Sequence, residues 1–316
     1  MRAQLEWMRA WNAAHERKVR FYGGDLPGYA VSSRPATEVT LAYLDEVDPA
    51  YAEALRTTLL PLYDYLPEDL TGLAWQIPAV QAYLGLAPEK RHELSARIAG
   101  MAARLQAMQV VYADASSRER AEAACRCALS ALQVDQFMQG GADMGIRGYE
   151  GANVRDAAFA DNVRWILERE DRIVLAAHNG HIQRWPFMVP TMTMLGQHLA
   201  PLLGDDMVVI GTTFGGGSMW AHRPKPAGPP GHTEVYVEDF PPPGPRTIDA
   251  VLAEAGLPLC LLDLRTLPSE GPVADRFRAA TGIRTGSQTM DVDPLAAFDA
   301  LVHLDRLSPW ETLIES

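Results

Sequence analysis

The sequence predicts an α/β protein: a mostly parallel sheet flanked by helices, with a helical cap inserted between its core strands. Strand-type apolar runs alternate with helical patterns through the second half of the chain. A block rich in Ala, Leu, Glu and Arg from residue 36 to residue 139 interrupts that alternation. The chain has 316 residues, 47% of them hydrophobic and 22% charged, which is ordinary globular usage and excludes a disordered or fibrous chain.

Taken in order, Leu5, Met8 and Trp11 recur at helical spacing, so the chain opens inside an amphipathic helix. Residues 19–23, Val-Arg-Phe-Tyr-Gly, read as a short strand that breaks at Gly23-Gly24-Asp25. Residues 1–35 are therefore assigned to the first part of the α/β core. In the block 36–139, Leu55, Leu59 and Leu60, then Ile98, Met101 and Leu105, then Ala124, Leu129 and Leu132 are spaced as helix faces, and we assign it as the cap. Residues 140–316 resume the core. The pattern predicts a helix over 155–170, a strand over 172–177, a helix over 190–203 and a strand over 207–213. A Pro/Gly-rich loop follows over 223–231, then a strand over 233–237, a helix over 247–255 and strands over 259–264 and 300–304.

Charge narrows the function classes. Lys and Arg number 28 against 40 Asp and Glu, a net charge of −12, so a phosphate backbone would be repelled and nucleic acid is excluded as a partner. Cys125, Cys127 and Cys260 are too few and too poorly spaced for a disulfide framework, which fits a reducing cytoplasm. The N-terminus carries charges among its apolar residues, and no segment has the length of a membrane span, so we expect a cytoplasmic chain without a membrane anchor.

In open α/β sheets, ligands gather beyond the carboxyl ends of the strands. The polar groups at expected strand ends are Asp25, then His178, Asn179 and His181, then Thr212 and Thr213, then Asp263 and Arg265, and finally Asp305. The turn His178-Asn179-Gly180-His181 follows a buried-type strand, and imidazole can act as base, acid or donor to an oxyanion. A histidine that caps the following helix, or satisfies a buried carbonyl, would leave the same pattern. A metal would need further ligands, Asp25 being the nearest candidate, and we expect no metal and no cofactor. Thr212-Thr213-Phe214-Gly215-Gly216-Gly217-Ser218 lacks the lysine of a P-loop and reads as a plain glycine loop, and no Gly-x-Ser-x-Gly elbow surrounds any serine. His15-Glu16 and His92-Glu93 lack the second histidine of a zinc-protease helix. Asn153, Arg155 and Asp156 precede a helix containing Asn162 and Trp165, and Arg155 is either a structural ion-pair partner or a clamp on a substrate carbonyl.

These pieces together resemble the erythromycin esterase family, which includes succinoglycan-biosynthesis-like proteins. They are Leu5-Glu6-Trp7-Met8-Arg9, Val19-Arg20-Phe21-Tyr22-Gly23-Gly24-Asp25, Asn153-Val154-Arg155-Asp156 with Asn162, Ala177-His178-Asn179-Gly180-His181, Met194-Leu195-Gly196, Ile210 to Gly217, and Phe298-Asp299-Ala300-Leu301-Val302, in family order along nearly the whole chain. The resemblance implies metal-independent hydrolysis of a macrolide lactone or related carboxylic ester by water attack, with antibiotic resistance as one biological role. It places His178 and His181 as catalytic residues and Asp25, Asn153, Arg155 and Asn179 as substrate-binding ones. It also implies a leading segment with a Gly-Glu-x-Thr-His-Gly motif carrying the base, and a following strand carrying a glutamate. Neither motif occurs in this sequence, so we expect the 316-residue chain by itself to be poorly soluble or inactive. Two readings follow: an ester hydrolase on a small-molecule substrate, and a non-catalytic paralogue binding a hydrophobic polyketide-like ligand in the same crevice.

Overall fold

The computed structural model of the protein describes residues 2–26, 32–66, 78–142, 150–224 and 233–309. Helix α1 spans Arg2–Ala14, and none of its residues is buried. Past it, residues 17–26 form no strand. With no neighbouring strand among the described residues to satisfy its backbone, this stretch is held by side chains of a later helix and its end: the Tyr22 hydroxyl donates to Glu170 at 2.7 Å and the Asn162 amide donates to the Gly24 carbonyl at 2.7 Å.

The described part of the block is helical, as its spacing predicts. Helices α2 (Arg34–Val47), α3 (Pro49–Thr58), α4 (Pro78–Leu84), α5 (Pro88–Ala115) and α6 (Arg118–Ala142) follow one another. Proline opens α3 and α5, where a missing N–H costs nothing because the first-turn donors have no helical partner. The core of the block buries Leu44, Leu59, Tyr63, Ile98, Met101 and Leu105 completely. Along α6 the buried face is Ala121, Ala124, Ala128 and Ala131, short side chains that let it lie close to its neighbours. Asp48 caps α3 and ties it to α5: its Oδ2 accepts from the Tyr112 hydroxyl at 2.7 Å and from Arg104 Nη2 at 2.6 Å. Those two donors, the Tyr112 hydroxyl foremost, hold its carboxyl below the usual range.

Helix α7 (Glu150–Leu167) packs on α6 and leads to the segment 172–178. Residues 172–177 of it are the ones whose pattern predicts a core strand. Ile173, Leu175 and Ala177 do pack into an apolar cluster with Phe159, Val163 and Leu195, yet Val174 between them is 98% exposed and the segment joins no sheet among the described residues. The short helix α8 (Asn179–Ile182) and α9 (Leu195–Leu203) follow. Gly196, in the first turn of α9, lies directly against the carbonyls of Ile182 and Gln183, where any Cβ would collide with backbone oxygen.

The sheet departs from expectation. Strand β1 (Ile210–Phe214) is parallel to β7 (Ala300–Leu304), but β4 (Leu259–Asp263) is antiparallel to β7, giving three strands in the order β1-β7-β4. The hairpins β2 (Gly217–Pro224) with β3 (Thr233–Phe240), and β5 (Gly282–Thr285) with β6 (Gln288–Asp291), are antiparallel as well. The mostly parallel sheet is therefore corrected to a mixed, helix-rich α/β architecture with small sheets. The glycine loop opens directly into β2. The Pro/Gly-rich connection lies, from residue 225, outside the described residues.

Helices α10 (Ile248–Ala253), α11 (Pro272–Arg278) and α12 (Pro294–Ala297) complete the fold. Val209, Ile248, Phe277, Ile283, Phe298 and Leu301 form the core on one face of the three-stranded sheet. The opposite face was expected to be covered too. Instead Ile210, Leu259 and Leu261 are exposed there, the last two at 64% and 66%.

Candidate functional site

Alternation of Ile173, Leu175 and Ala177 into the core aims the end of that segment at α7, and the chain then turns through α8. His178 caps α8: its Nδ1 accepts the backbone N–H of Gly180 at 3.0 Å. The helix-capping reading of this histidine thus holds, and it has a chemical consequence. With Nδ1 accepting, the neutral ring carries its proton on Nε2. Burial, reinforced by nearby His181, holds the His178 pKa below the usual imidazole value, which favours that neutral form. Gly180 is required for space: a Cβ there would press into the ring of Phe187 and against His178 Nδ1.

His181, one turn on, has the opposite arrangement. Its Nδ1 lies 2.8 Å from Oδ1 of Asp156 on α7, a side chain that is almost fully buried. A carboxylate can only accept, so Nδ1 faces it with a proton, and in the neutral ring the lone pair is on Nε2. The same Asp156 oxygen accepts the backbone N–H of Leu195 at 2.9 Å, at the start of α9, which fixes it between three helices. Asp156 belongs to the Asn153-Val154-Arg155-Asp156 motif, yet the sequence gives it no role in the site. Its only signal there was its place in the first turns of a helix next to Arg155.

Both histidines line a cleft of about 670 Å³ with Asp156, Arg155 and Asp25. Phe137, Phe159, Phe187, Met192 and Met194 make its walls largely apolar. Arg155 grips Asp25 with two parallel hydrogen bonds, Nε to Oδ1 at 2.9 Å and Nη2 to Oδ2 at 2.5 Å, across 130 residues of sequence. With Asp25 so engaged, and no three His, Cys, Asp or Glu side chains converging as a metal-holding group among the described residues, a cation site built on Asp25, His178 and His181 is not formed.

The other two expected substrate contacts are placed differently. The Asn153 amide donates to Thr191 O and accepts from Thr193 N, both at 2.9 Å, and so pins the loop before α9. Asn179 is buried, with its amide donating to Thr212 O at 2.6 Å and accepting from Thr212 N at 2.9 Å. Neither is among the cleft-lining residues. Asp263 and Arg265 pair with each other at the far edge of the sheet, because antiparallel β4 carries its end away from the end of β1. Thr213 and Asp305 stay in the sheet region, Thr213 Oγ1 meeting buried His303 Nδ1 at 2.9 Å and Asp305 lying against Gly215. No helix among the described residues is long and apolar enough to cross a membrane.

Residues 1–307 match the erythromycin esterase family. Erythromycin esterase type II of Escherichia coli is 25% identical over 330 residues, covering 98% of this chain and 73% of that protein. A mutant of the erythromycin esterase EreC, solved in its open conformation, superposes with a TM-score of 0.78 at 17% identity, over 99% of this chain and 75% of its own. A succinoglycan biosynthesis protein superposes with a TM-score of 0.65 at 19% identity, over 96% of this chain and 69% of its own. The chain is a member of the erythromycin esterase family.

Proposed function

We propose that the protein is an ester hydrolase that opens a macrolide lactone or a related bulky carboxylic ester by histidine-assisted attack of water. The observation that carries this reading is the contrasting environment of the two cleft histidines, His181 Nδ1 against the Asp156 carboxylate and His178 Nδ1 against the Gly180 N–H. His181 Nε2 has the lone pair to take a proton from water as its oxygen bonds to the acyl carbon. His178 Nε2–H has the proton to donate a hydrogen bond to the carbonyl oxygen as it becomes negative. When the acyl–oxygen bond breaks, protonated His181 returns its proton to the leaving alkoxide, so acid and alcohol form and the enzyme is regenerated. Asp25, Arg155, Asn153 and Asn179 support the reading as the frame of the cleft: the first two form its charged rim and the last two hold the loops around it.

The test incubates the full chain with a macrolide and with an aryl ester, following the mass gain of one water and the released phenol. Turnover that falls by orders of magnitude in both His178→Ala and His181→Ala supports the proposal, and turnover unchanged in both overturns it. Saturable macrolide binding with no product from the wild type would instead favour the non-catalytic polyketide-binding paralogue.

A further inference from the structure

The connection between α8 and α9 is held at both ends by side-chain amides. The buried Gln183 amide donates to the carbonyls of Trp185 at 3.0 Å and Pro186 at 3.2 Å, and Asn153 holds Thr191 and Thr193 at the other end. Between these clamps the chain closes on itself: Phe187 N–H donates to Met192 O at 3.2 Å, Met192 N–H to Val189 O at 3.0 Å, and Val189 N–H to Phe187 O at 2.6 Å. The last bond closes a three-residue turn on Met188, at φ +61°, the one non-glycine in the left-handed region among the described residues. A long side chain at such a position is costly and persists only where the surroundings over-determine it. Pro186 and Pro190, each fixing its own φ, add to the constraint from the two clamps.

Met188 itself is 68% exposed and is not among the residues that line the cleft. The turn instead sets its neighbours: Phe187 and Met192, joined by the bond across it, both line the histidine cleft. The Phe187 ring lies on Gly180, the bend between the two imidazoles, so closely that no Cβ fits between them. Phe159, on α7, stands edge-on to His181, with ring centroids 6.4 Å apart and planes at 61°. The cleft is therefore roomy as a whole but bordered by aromatic rings at the histidines. A loop that only joined two helices would be served by a relaxed turn; this one spends backbone strain on the placement of a ring beside the reactive groups. We propose that Phe187, aimed by the Met188 turn, is a specificity-determining residue of the histidine cleft, admitting groups that are flat where they meet the histidines and turning away globular ones. That the selected group belongs to an ester rests on the hydrolase reading; the shape filter does not.

The experiment is calorimetric titration of the full chain with two amides that stand in for esters, the flat N-(1-naphthyl)acetamide and the globular N-(1-adamantyl)acetamide. The wild type binds the flat probe about tenfold more tightly, through ring-on-ring contact that the globular probe lacks. Phe187→Ala loses that preference by weakening the flat probe and strengthening the globular one, whereas a merely structural role would weaken both alike. Met188→Gly, whose backbone takes positive φ freely, keeps the preference. Met188→Pro, which forces φ to about −65°, loses it although every side chain lining the cleft is still present. No binding of either probe to the wild type, equal affinity for the two, a full preference in Phe187→Ala or Met188→Pro, or a lost preference in Met188→Gly overturns the proposal. If Met188→Pro does not fold, Phe187→Ala and Met188→Gly decide. Heat of binding needs no turnover, so failure here leaves the hydrolase reading standing, and absence of ester cleavage leaves the shape filter standing.

Discussion

His181 and Asp156 form a dyad in which one carboxylate oxygen, 2.8 Å from the imidazole Nδ1, also holds the N-terminus of α9 through Leu195 N–H. Replacing Asp156 by Asn offers the ring an amide whose donor end favours the wrong tautomer. Turnover should fall by about two to four orders of magnitude with KM nearly unchanged, as for other histidine bases that lose their orienting carboxylate. Steady-state kinetics on the variant check this, and an unchanged kcat would remove Asp156 from the mechanism.

Acid should destabilise the fold through its buried imidazoles. His178 and His303 both have pKa values held below the ordinary value near 6.5, in each case chiefly by burial. The unfolded chain therefore takes up protons first as pH falls, so stability is full above about 6.5 and is lost as pH drops towards the folded-state values. His303 lies wholly inside, with Nδ1 on Thr213. Thermal melts from pH 7.5 to pH 5 should show a declining Tm, with a shallower decline in His303→Gln; an equal slope would assign the acid sensitivity elsewhere.

Gly196 should tolerate no side chain. A methyl group there would overlap the Ile182 and Gln183 carbonyls, which are backbone and can yield only if α8 moves. Gly196→Ala should cost about 3 kcal/mol, the upper range for overpacking, and shift the urea midpoint accordingly. A midpoint within error of wild type would mean that α8 and α9 slide freely.

The open face of the sheet should drive self-association. Leu259 and Leu261 stand on it in register with Leu304 and Val302, so exposed apolar side chains form a patch rather than isolated points. Leu259→Lys with Leu261→Lys should raise the monomer fraction in light scattering at fixed concentration; no change would show that this face is not the sticky one.

Helical spacing made the block 36–139 legible because its core recurs every three to four residues, as Ile98, Met101 and Leu105 do. The histidine turn was legible because Gly180 sits between two imidazoles after an apolar run. Strand pairing was not: the same alternation in Leu259–Asp263 serves a parallel or an antiparallel neighbour, and only the register with Ala300–Leu304 decides. In segment 172–178 the inward periodicity is present without a ladder to join among the described residues. The Asp25 to Arg155 clamp spans 130 residues, and the Asp156 to His181 dyad needs the crossing of two helices, so neither leaves a local trace. Asn153 and Asn179 entered as substrate contacts through the family resemblance alone, and their hydrogen bonds to Thr191, Thr193 and Thr212 depend on folded loops that local sequence does not reveal.

The grip of Asn179 on Thr212 gives the site a built-in reporter. A side-chain amide stands in for a neighbouring strand, supplying an acceptor to the N–H and a donor to the C=O of one residue of β1. The Thr212 amide hydrogen is therefore released only when the histidine turn lifts off the sheet, so its exchange with deuterium clocks the opening of the cleft at a single, spectroscopically resolvable position.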